Sequence, residues 1–352
     1  MTALDLAGGV VDLTTALVDT ESVSGDEATI VDAIEEALNG ISGLEVWRHA
    51  NSLVARTALG RAERVVIAGH VDTVPLNANL PARNDGTSLH GLGACDMKGG
   101  VAVALSLAAS LTAPNRDVTY IFYECEEVEA ERNGLSLIAD VRPDLLAGDF
   151  AVVMEPSNAV IEAGCQGTIR VDVSTSGRRA HAARSWNGVN AIHAAQDVLA
   201  RLAAYTPRQP VIDGLRYHEG LNAVYISGGV AGNVLPDRCT VSINHRFAPD
   251  RTVEQATQHL REVFDGFEIE VSDSAPGALP GLDRPAAAAF VAAVGAQVNP
   301  KFGWTDVARF SALGTPAVNF GPGDPELAHR QDEFVPLAHL HSCLDQMTRW
   351  LA

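Results

Sequence analysis

The apolar residues in the first third of the chain form short continuous runs separated by helical patterns. RVVIAGH (64–70), DVTYIFYE (117–124) and DFAVVM (149–154) are typical of buried strands. GVAVALSLAASL (100–111) is typical of a helix whose small residues pack on a sheet. Strands that alternate with helices form layered folds, so this region predicts an α/β structure with a largely parallel sheet.

A helix with defined ends is predicted at DEATIVDAIEEALN (26–39). Ser24 and Glu27 have the spacing of a capping box, in which two side chains bind the free N–H groups at a helix start. Gly40 is a typical residue for the end of such a helix.

Near residue 167 the hydrophobic pattern changes. TIRVDVSTS (168–176) alternates polar and apolar residues, as in a sheet with one face in water. The next four segments predict a helix, a strand, a helix and a strand, at 190–205, 239–247, 252–266 and 267–273. This order is typical of a small α+β unit.

The first pattern resumes after the turn-rich link APGALPG (275–281). AAAAFVAAVGAQV (286–298) predicts a helix and TPAVNF (315–320) a strand. We therefore predict one discontinuous α/β domain interrupted by an inserted α+β domain, with boundaries at 1–167 and 278–352 for the first and 168–277 for the second.

Composition limits the classes of partner. The 352 residues are enough for one large core or two modest ones. The formal net charge of −19 argues against a nucleic-acid partner, because phosphate binding depends on clustered Lys and Arg. No apolar run approaches the ~18 residues needed to span a membrane. The N-terminus lacks the basic region of a secretory signal and the five cysteines form no CxxC pair, so we expect a cytoplasmic protein with reduced thiols.

Acidic and imidazole side chains follow the ends of the three predicted strands. In open α/β sheets ligands bind beyond the carboxyl ends of the strands. The candidates are His70 and Asp72 after the first strand, Glu126 and Glu127 after the second, Glu155 after the third, Asp96 in the loop GLGACDMKGG, and His329 in GPGDPELAHRQDE.

Each candidate alone also has an ordinary structural explanation. His70 fits a hydrogen-bonded structural histidine, the Glu126–Glu127 pair fits a solvated turn, and Asp96 fits a helix cap or an anion-binding helix start. Together they provide nitrogen and oxygen ligands that suit zinc, cobalt or manganese. Residues i and i+2 of a strand point the same way, so Asp72 is placed to orient the imidazole of His70.

Five motifs carry a resemblance to a known family. GHVDTVP, GACDMKGG, YECEE, MEPS and LAHRQDE, in this order, resemble the zinc exopeptidase and deacylase family. That family includes aminoacylases, acetylornithine deacetylases, glutamate carboxypeptidases and succinyl-diaminopimelate desuccinylases. The resemblance spans about residues 10 to 352. It implies a three-layer αβα catalytic domain that binds two Zn²⁺ per chain, with Co²⁺ or Mn²⁺ as substitutes, and an inserted ferredoxin-like lid and dimerisation domain.

The resemblance also implies roles for single residues. Asp96 is expected to bridge the two metals, with a cis peptide bond after it. One metal is completed by His70 and Glu155, and the other by Glu127 and His329. Metals about 3.5–4 Å apart lower the pKa of a bridging water toward 7. Glu126 is the implied general base that accepts the proton of this water, and Asp72 the implied support of His70.

In the inserted domain, RRAHAARSWNGVNAI matches the segment from which the family supplies an oxyanion donor. His181 is the implied donor, usually contributed by the partner subunit of a homodimer. The alternative is an exposed loop histidine with no catalytic role.

The substrate is predicted from two further segments. AVYISGGVAGNVLPDRCTVSINHRFAPD and KFGWTDVARFSALGTPAVNFGPGDPELAH resemble desuccinylases of the Gram-positive, actinobacterial type. The implied substrate is N-succinyl-LL-2,6-diaminopimelate, whose carboxylates Asn233, Arg246 and Arg184 are candidates to bind. A surface salt bridge is the alternative for Arg246.

Three other hypotheses remain open at this point. The same machinery could act on another N-acyl amino acid such as acetylornithine, or on a dipeptide. A metal-binding homologue without catalysis is the third, and the intact Glu126 argues against it. Cys95 and Cys125 lie beside the catalytic acids but match no ligand position, so we expect both to be packing residues.

Overall fold

The computed structural model describes residues 4–352, which divide into two compact units. The first unit runs to Ala163 and includes Pro280–Asn299 and Arg309–Ala352; the second comprises Gly164–Leu279 and Pro300–Ala308. The contacts of Pro300–Ala308 therefore group this segment with the second unit, in a region that the sequence assigns to the first. The roles of the two units as catalytic domain and lid stay a prediction.

Nine α-helices are formed in the described part of the chain. They are α1 (Val10–Val18), α2 (Ala28–Asn39), α3 (Gly99–Ser110), α4 (Gly134–Val141), α5 (Ala191–Ala204), α6 (Val253–Val263), α7 (Pro285–Val294), α8 (Val307–Ala312) and α9 (Leu337–Leu351). None of these helices combines the length and the apolar character required to cross a membrane.

The strands form two main sheets, one in each unit, and two small ones. They are β1 (Leu44–His49), β2 (Ser52–Thr57), β3 (Arg64–His70), β4 (Arg83–Asn84), β5 (Ser88–His90), β6 (Asp117–Tyr123), β7 (Phe150–Val153), β8 (Ile161–Ala163), β9 (Gly167–Ser176), β10 (Val211–Ile212), β11 (Leu215–Arg216), β12 (Gly220–Gly228), β13 (Arg238–Phe247), β14 (Glu268–Ala275), β15 (Val298–Pro300), β16 (Ala317–Asn319) and β17 (Phe334–Pro336).

The large sheet has eight strands in the order β1-β2-β6-β3-β7-β16-β8-β15. Its centre, β6-β3-β7-β16, is parallel, as the continuous apolar runs predict. The prediction of a largely parallel sheet is nevertheless too simple, because β1 and β2 form an antiparallel hairpin, β2 pairs antiparallel with β6, and β8 pairs antiparallel with β16. The sheet is therefore mixed, with its parallel strands at the centre.

The close packing of α3 on the sheet depends on a glycine. α3 is apolar on all sides and most of it is buried, packed against α1, α9 and β3. A Cβ atom on Gly100 would lie 2.2 Å from the carbonyl oxygen of Met154, just beyond β7. Only glycine allows the first turn of α3 to approach the backbone this closely.

The start of α2 differs from the predicted capping box. Glu27 is the N-cap residue, but its side chain makes no capping hydrogen bond. The Ser24 hydroxyl instead donates to Asp72 Oδ2 at 2.7 Å. The predicted end is confirmed, since Gly40 is the C-cap residue. The predicted capping box is therefore not formed, and the side chain of Glu27 instead accepts the N–H groups of Gly25 at 2.7 Å and of Cys125 at 3.3 Å.

The second unit contains a four-stranded antiparallel sheet in the order β12-β13-β9-β14. Alternate residues of β9 and β13 point into a core shared with α5 and α6, as the alternating pattern predicts. The sequence does not predict β12. Most of this edge strand is exposed and its apolar residues are consecutive, so it lacks the alternation that identifies a half-buried strand.

Candidate metal centre

The candidate residues lie where the central parallel strands of the first unit end. β6, β3 and β7 are adjacent and parallel, so their carboxyl ends meet at one edge of the sheet. His70 is the last residue of β3, Glu126 and Glu127 follow β6, and Glu155 follows β7. His70 and Glu155 are buried, at 1% and 6% exposure.

Asp96 has one carboxylate oxygen near each of two histidines. Asp96 Oδ1 lies 3.1 Å from His70 Nε2, and Asp96 Oδ2 lies 3.5 Å from His329 Nε2. The peptide bond between Asp96 and Met97 is cis, as the resemblance predicts. A carboxylate with each oxygen directed at a different imidazole has the arrangement required of a bridging metal ligand.

His329 completes this cluster from a late part of the chain. Its Nε2 atom lies 2.8 Å from Glu127 Oε1. The side chain of His329 is half exposed, whereas that of Glu127 is almost buried. The candidate ligand atoms of His70, Asp96 and Glu127 all lie within 4.8 Å of one another, which is close enough for metal binding.

Asp72 is completely buried and organises the residues around it. Its Oδ1 accepts the N–H of Glu126 at 3.0 Å, and its Oδ2 accepts the N–H of Glu127 at 3.2 Å and the hydroxyl of Ser24 at 2.7 Å. The Asp72 carbonyl oxygen accepts a hydrogen bond from His70 Nδ1 at 3.0 Å. Asp72 therefore holds the strand-end loop of β6 and fixes the orientation of the His70 ring.

The ring of His70 indicates why this centre suits a cation. A carbonyl oxygen only accepts, so Nδ1 carries a hydrogen, and in a neutral ring Nε2 then presents a lone pair toward the Asp96 carboxylate. Two electron-rich atoms 3.1 Å apart repel each other unless a proton or a metal lies between them. The donor set therefore fits a metal ion.

The pKa shifts within the cluster also favour a cation at this centre. Burial disfavours a charged His70, but hydrogen bonds with Asp72 and Asp96 outweigh it and raise the pKa of His70 well above its ordinary value. Hydrogen bonds with Asp96 and Glu127 raise the pKa of His329 to about 10, although burial opposes the rise. Burial raises the pKa of Asp96, but the two histidines more than compensate and lower it. The cluster thus strongly favours positive charge between its carboxylates.

Glu333 belongs to the centre although the sequence analysis does not select it. Its Oε1 accepts the N–H groups of Cys95 and Asp96 at 2.9 and 3.1 Å, so it holds the loop that carries the bridging candidate. Burial raises the pKa of Glu333 to about 7. The residue lies in the LAHRQDE motif, but the motif alone does not distinguish an acid that binds a metal from one that holds a loop.

The cysteines next to these acids are buried and free, and their role as packing residues stays a prediction. Burial raises the pKa of Cys95 far above its ordinary value and that of Cys125 to about 12. Metal binding requires a thiolate, and burial disfavours that form at both positions. All five cysteines of the chain are free and buried.

Three of the candidates in the second unit lie together on neighbouring loops. His181 forms an isolated β-bridge with Val234, and the N–H of Ala182 donates to the Asn233 carbonyl at 2.8 Å. The Arg184 N–H donates to the His181 carbonyl at 2.7 Å. The side chains of His181, Arg184 and Asn233 are exposed.

Arg246 is not brought to this group. The loops carrying His181 and Asn233 adjoin the start of β13 at Arg238, whereas Arg246 lies near its end. At about 3.3 Å per residue, roughly 26 Å of strand separates Arg238 from Arg246. Arg246 is half-buried, and both burial and the nearby Arg170 lower the pKa of its guanidinium.

Comparison with known proteins identifies the family. Residues 66–352 match the family described as peptidase family M20/M25/M40. The chain therefore belongs to this family of metal-dependent hydrolases.

Two relatives support the narrower resemblance predicted from the motifs. The chain is 54% identical, over 99% of both sequences, to a Mycobacterium tuberculosis protein that is provisionally named as a succinyl-diaminopimelate desuccinylase. It is 47% identical to the succinyl-diaminopimelate desuccinylase of Corynebacterium glutamicum, covering 96% of the chain and 94% of that relative. The predicted resemblance to actinobacterial desuccinylases is confirmed.

Solved structures show the same fold at low sequence identity. A tripeptidase from Staphylococcus aureus superimposes with a TM-score of 0.79 at 22% identity, covering 97% of this chain and 96% of that one. The YXEP protein of Bacillus subtilis, described as a dinuclear metal-binding peptidase, gives a TM-score of 0.69 at 18% identity, with 97% and 96% covered. The predicted fold class is thereby confirmed.

Proposed function

We propose that the chain hydrolyses N-succinyl-LL-2,6-diaminopimelate to succinate and LL-2,6-diaminopimelate. The identity of 54% and 47% to two relatives with this name, over nearly the whole chain, supports the choice of substrate. The observation that carries the choice of reaction is the carboxylate of Asp96, which directs one oxygen at each of two imidazoles.

We infer that the centre holds two zinc ions per chain. His70 and Glu155 would bind one ion, Glu127 and His329 the other, and Asp96 both. The 3.1 Å approach of His70 Nε2 to Asp96 Oδ1, which requires positive charge between the two atoms, supports this proposal, as does the nitrogen and oxygen character of the ligands, which also suits cobalt or manganese. When bound, the metals supply Lewis acidity that acidifies water and polarises an amide carbonyl.

The protein's own groups then handle the proton. Glu126 accepts a proton from the attacking water as the water oxygen adds to the amide carbon. The C–N bond breaks, and Glu126 delivers the same proton to the departing nitrogen. Succinate and the free amine are the products. The backbone N–H of Glu126 donates to Asp72 at 3.0 Å, which fixes the main chain that carries the base.

Recognition of the substrate is assigned to polar groups of the second unit. The substrate carries several carboxylates, for which guanidinium groups are well suited because they bind in a bidentate manner. Arg246 supports this role because it is half-buried next to Arg170, so two cations lie close together. Arg184 and Asn233 are proposed as further contacts, and His181 as the donor to the oxyanion.

A homodimer formed through the second unit is part of the proposal. β12 is an edge strand without a charged residue, and its Val224 and Tyr225 are 59% and 65% exposed. The opposite edge, β14, carries Glu268 and Glu270, which protect an edge against pairing. Ile192 and Leu199, exposed on one face of α5, extend the apolar surface. A second copy, pairing through β12, would cover it.

The dimer also accounts for the distance between Arg246 and His181. Roughly 26 Å of strand lies between Arg238, next to the loop of His181, and Arg246, so we infer that one small substrate does not contact both groups of the same chain. If Arg246 of one subunit binds the substrate, the His181 that reaches the reacting carbonyl belongs to the partner. We also propose a cytoplasmic location, which five free cysteines support.

A substrate panel tests the proposed function. Zinc-loaded protein would be assayed with N-succinyl-LL-diaminopimelate, N-acetylornithine, N-acetylmethionine and a small dipeptide. We expect selective turnover of the succinyl substrate, abolished by a chelator and restored by zinc. Preference for another substrate would overturn the specificity but keep the chemistry. No turnover of any substrate by protein with two bound metals would contradict the proposed reaction.

A further inference from the structure

The backbone just before Glu126 has an unusual conformation. Cys125 has a φ angle of 56°, in the left-handed region that residues other than glycine rarely adopt. A side chain persists in this region only where neighbouring contacts stabilise it. The conformation of Cys125 sets the direction in which the chain leaves the end of β6, and hence the position of Glu126.

Glu27 supplies such contacts from a distant part of the sequence. Its side chain is completely buried, and its Oε1 accepts hydrogen bonds from both the N–H and the S–H of Cys125, each at 3.3 Å. The same oxygen accepts the N–H of Gly25 at 2.7 Å. Glu27 therefore connects the loop before α2 to the residue that precedes the proposed base.

Asp72 continues this arrangement along the same loop. The N–H groups of Cys125, Glu126 and Glu127 are consecutive, and buried carboxylates accept all three. Glu27 accepts the first, and Asp72 accepts the other two at 3.0 and 3.2 Å. Two carboxylates thus orient three successive peptide groups. Asp72 has a role from the family resemblance, whereas Glu27 has none.

A third metal site is the alternative use of this cluster. The ligand atoms of Glu27, Glu124 and Cys125 lie within 4.8 Å of one another. Hydrogen-bond donors already occupy these atoms, however. Oε1 of Glu27 has three donors, and Oε1 of Glu124 accepts the N–H of Asn51 at 2.9 Å. The cluster is therefore organised around hydrogen atoms, which favours a positioning role.

We propose that Glu27 is a positioning residue: by accepting both donors of Cys125 it holds the left-handed turn that aims Glu126. This inference rests on the proposed function of Glu126 as the base. Glu27 is not among the proposed ligands of substrate or metal, and its Oε1 already accepts three protein donors, so its removal should disturb turnover more than binding.

The test uses the full-length metal-loaded enzyme and a double-mutant cycle. Glu27→Ala removes the acceptor, and Glu27→Gln keeps an oxygen of similar position. Cys125→Gly removes the need for the contact, because glycine adopts positive φ without strain. The matched control is Glu36→Ala, an exposed glutamate of α2. The measurements are kcat, KM, metal content and thermal unfolding.

We expect Glu27→Ala to lower kcat on the order of 10–100-fold with little change in KM and with two metals retained. Glu27→Gln should lose less activity, and Cys125→Gly should recover part of the loss when added to Glu27→Ala. Glu36→Ala should behave like the wild type. The kcat values are compared at a temperature at which thermal unfolding shows every variant to be folded, so recovery by glycine reports the position of Glu126 and not a general gain of stability. If Glu27→Ala does not fold, the kcat of Glu27→Gln is compared with that of the double variant Glu27→Gln/Cys125→Gly. A higher kcat in the double variant supports the inference, and an equal kcat contradicts it.

Two results would overturn the inference. One is a normal kcat for both Glu27 variants, and the other is a third metal in the wild type that Glu27→Ala lacks. Glu126→Gln separates this failure from failure of the proposed function. If Glu126→Gln is inactive while Glu27→Ala is normal, only the inference about Glu27 is wrong. If Glu126→Gln is fully active, the assignment of the base is wrong.

Discussion

Replacement of Asp72 by asparagine tests how far the centre depends on a carboxylate that binds no metal. The two oxygens of Asp72 accept the N–H groups of Glu126 and Glu127 separately. In Asp72→Asn an NH₂ group takes the place of one oxygen, so one N–H loses its acceptor whichever way the amide is turned. A buried N–H without an acceptor costs about 1–3 kcal/mol. Oδ1 of the Asp72 carboxylate also lies 3.4 Å from His70 Nδ1, so the substitution disturbs the imidazole and we expect a loss of metal affinity of about 10–100-fold as well.

The assay is a zinc titration of metal-free protein, followed by the recovery of activity and by thermal unfolding. The matched control is Asp85→Asn, since Asp85 also accepts two backbone N–H groups, those of Thr87 and Ser88, but in an exposed loop. We expect the control to keep the metal affinity of the wild type. If Asp72→Asn binds zinc as tightly as the wild type and unfolds at the same temperature, the argument from its hydrogen bonds is refuted.

Three further predictions concern the base, the dimer and the effect of pH. Glu126→Gln should retain two metals, measured by elemental analysis, and lose about 10²–10⁴-fold in kcat; near-normal turnover would exclude Glu126 as the base. The variants Glu126→Gln and His181→Ala should each be inactive alone, but a mixed dimer with one subunit of each should regain activity. If mixed dimers are shown to form and stay inactive, His181 does not act across the interface. Burial lowers the pKa of His245 in the folded protein, so as the pH falls His245 binds a proton in the unfolded state before it does so in the folded state. The free energy of unfolding, measured with urea, should therefore decrease as the pH falls below about 6.5. The decrease should be smaller in His245→Asn, and an equal pH dependence of the free energy in both proteins would refute this.

The sequence predicts the centre of the first unit well because its strands are buried on both faces. The run RVVIAGH coincides with β3 (Arg64–His70). A short continuous apolar run is typical of a parallel strand that is buried on both faces of the sheet. β12 is missed for the opposite reason. Its exposed valine, tyrosine and isoleucine are consecutive, so they lack the alternation that marks a half-buried strand.

Side-chain partners are harder to predict than strands. The spacing of Ser24 and Glu27 indicates a capping box, but spacing reports only local geometry. Their partners, Asp72 and Cys125, are 48 and 98 residues away in sequence and become neighbours only when the sheet forms. The separation of Arg246 from His181 likewise depends on the register of β9 and β13, which sequence motifs do not contain.

The close approach at Gly100 has a consequence for how this protein can vary. Met154, whose carbonyl oxygen a side chain at position 100 would strike, directly precedes the proposed ligand Glu155. Even a methyl group would therefore displace a ligand without altering any ligand's identity. A mutational survey that ranks positions by lost activity would group Gly100 with the histidines and acids. Gly100 matters only because it leaves space for the Met154 carbonyl, and no substitution of a side chain elsewhere in the centre could restore that space.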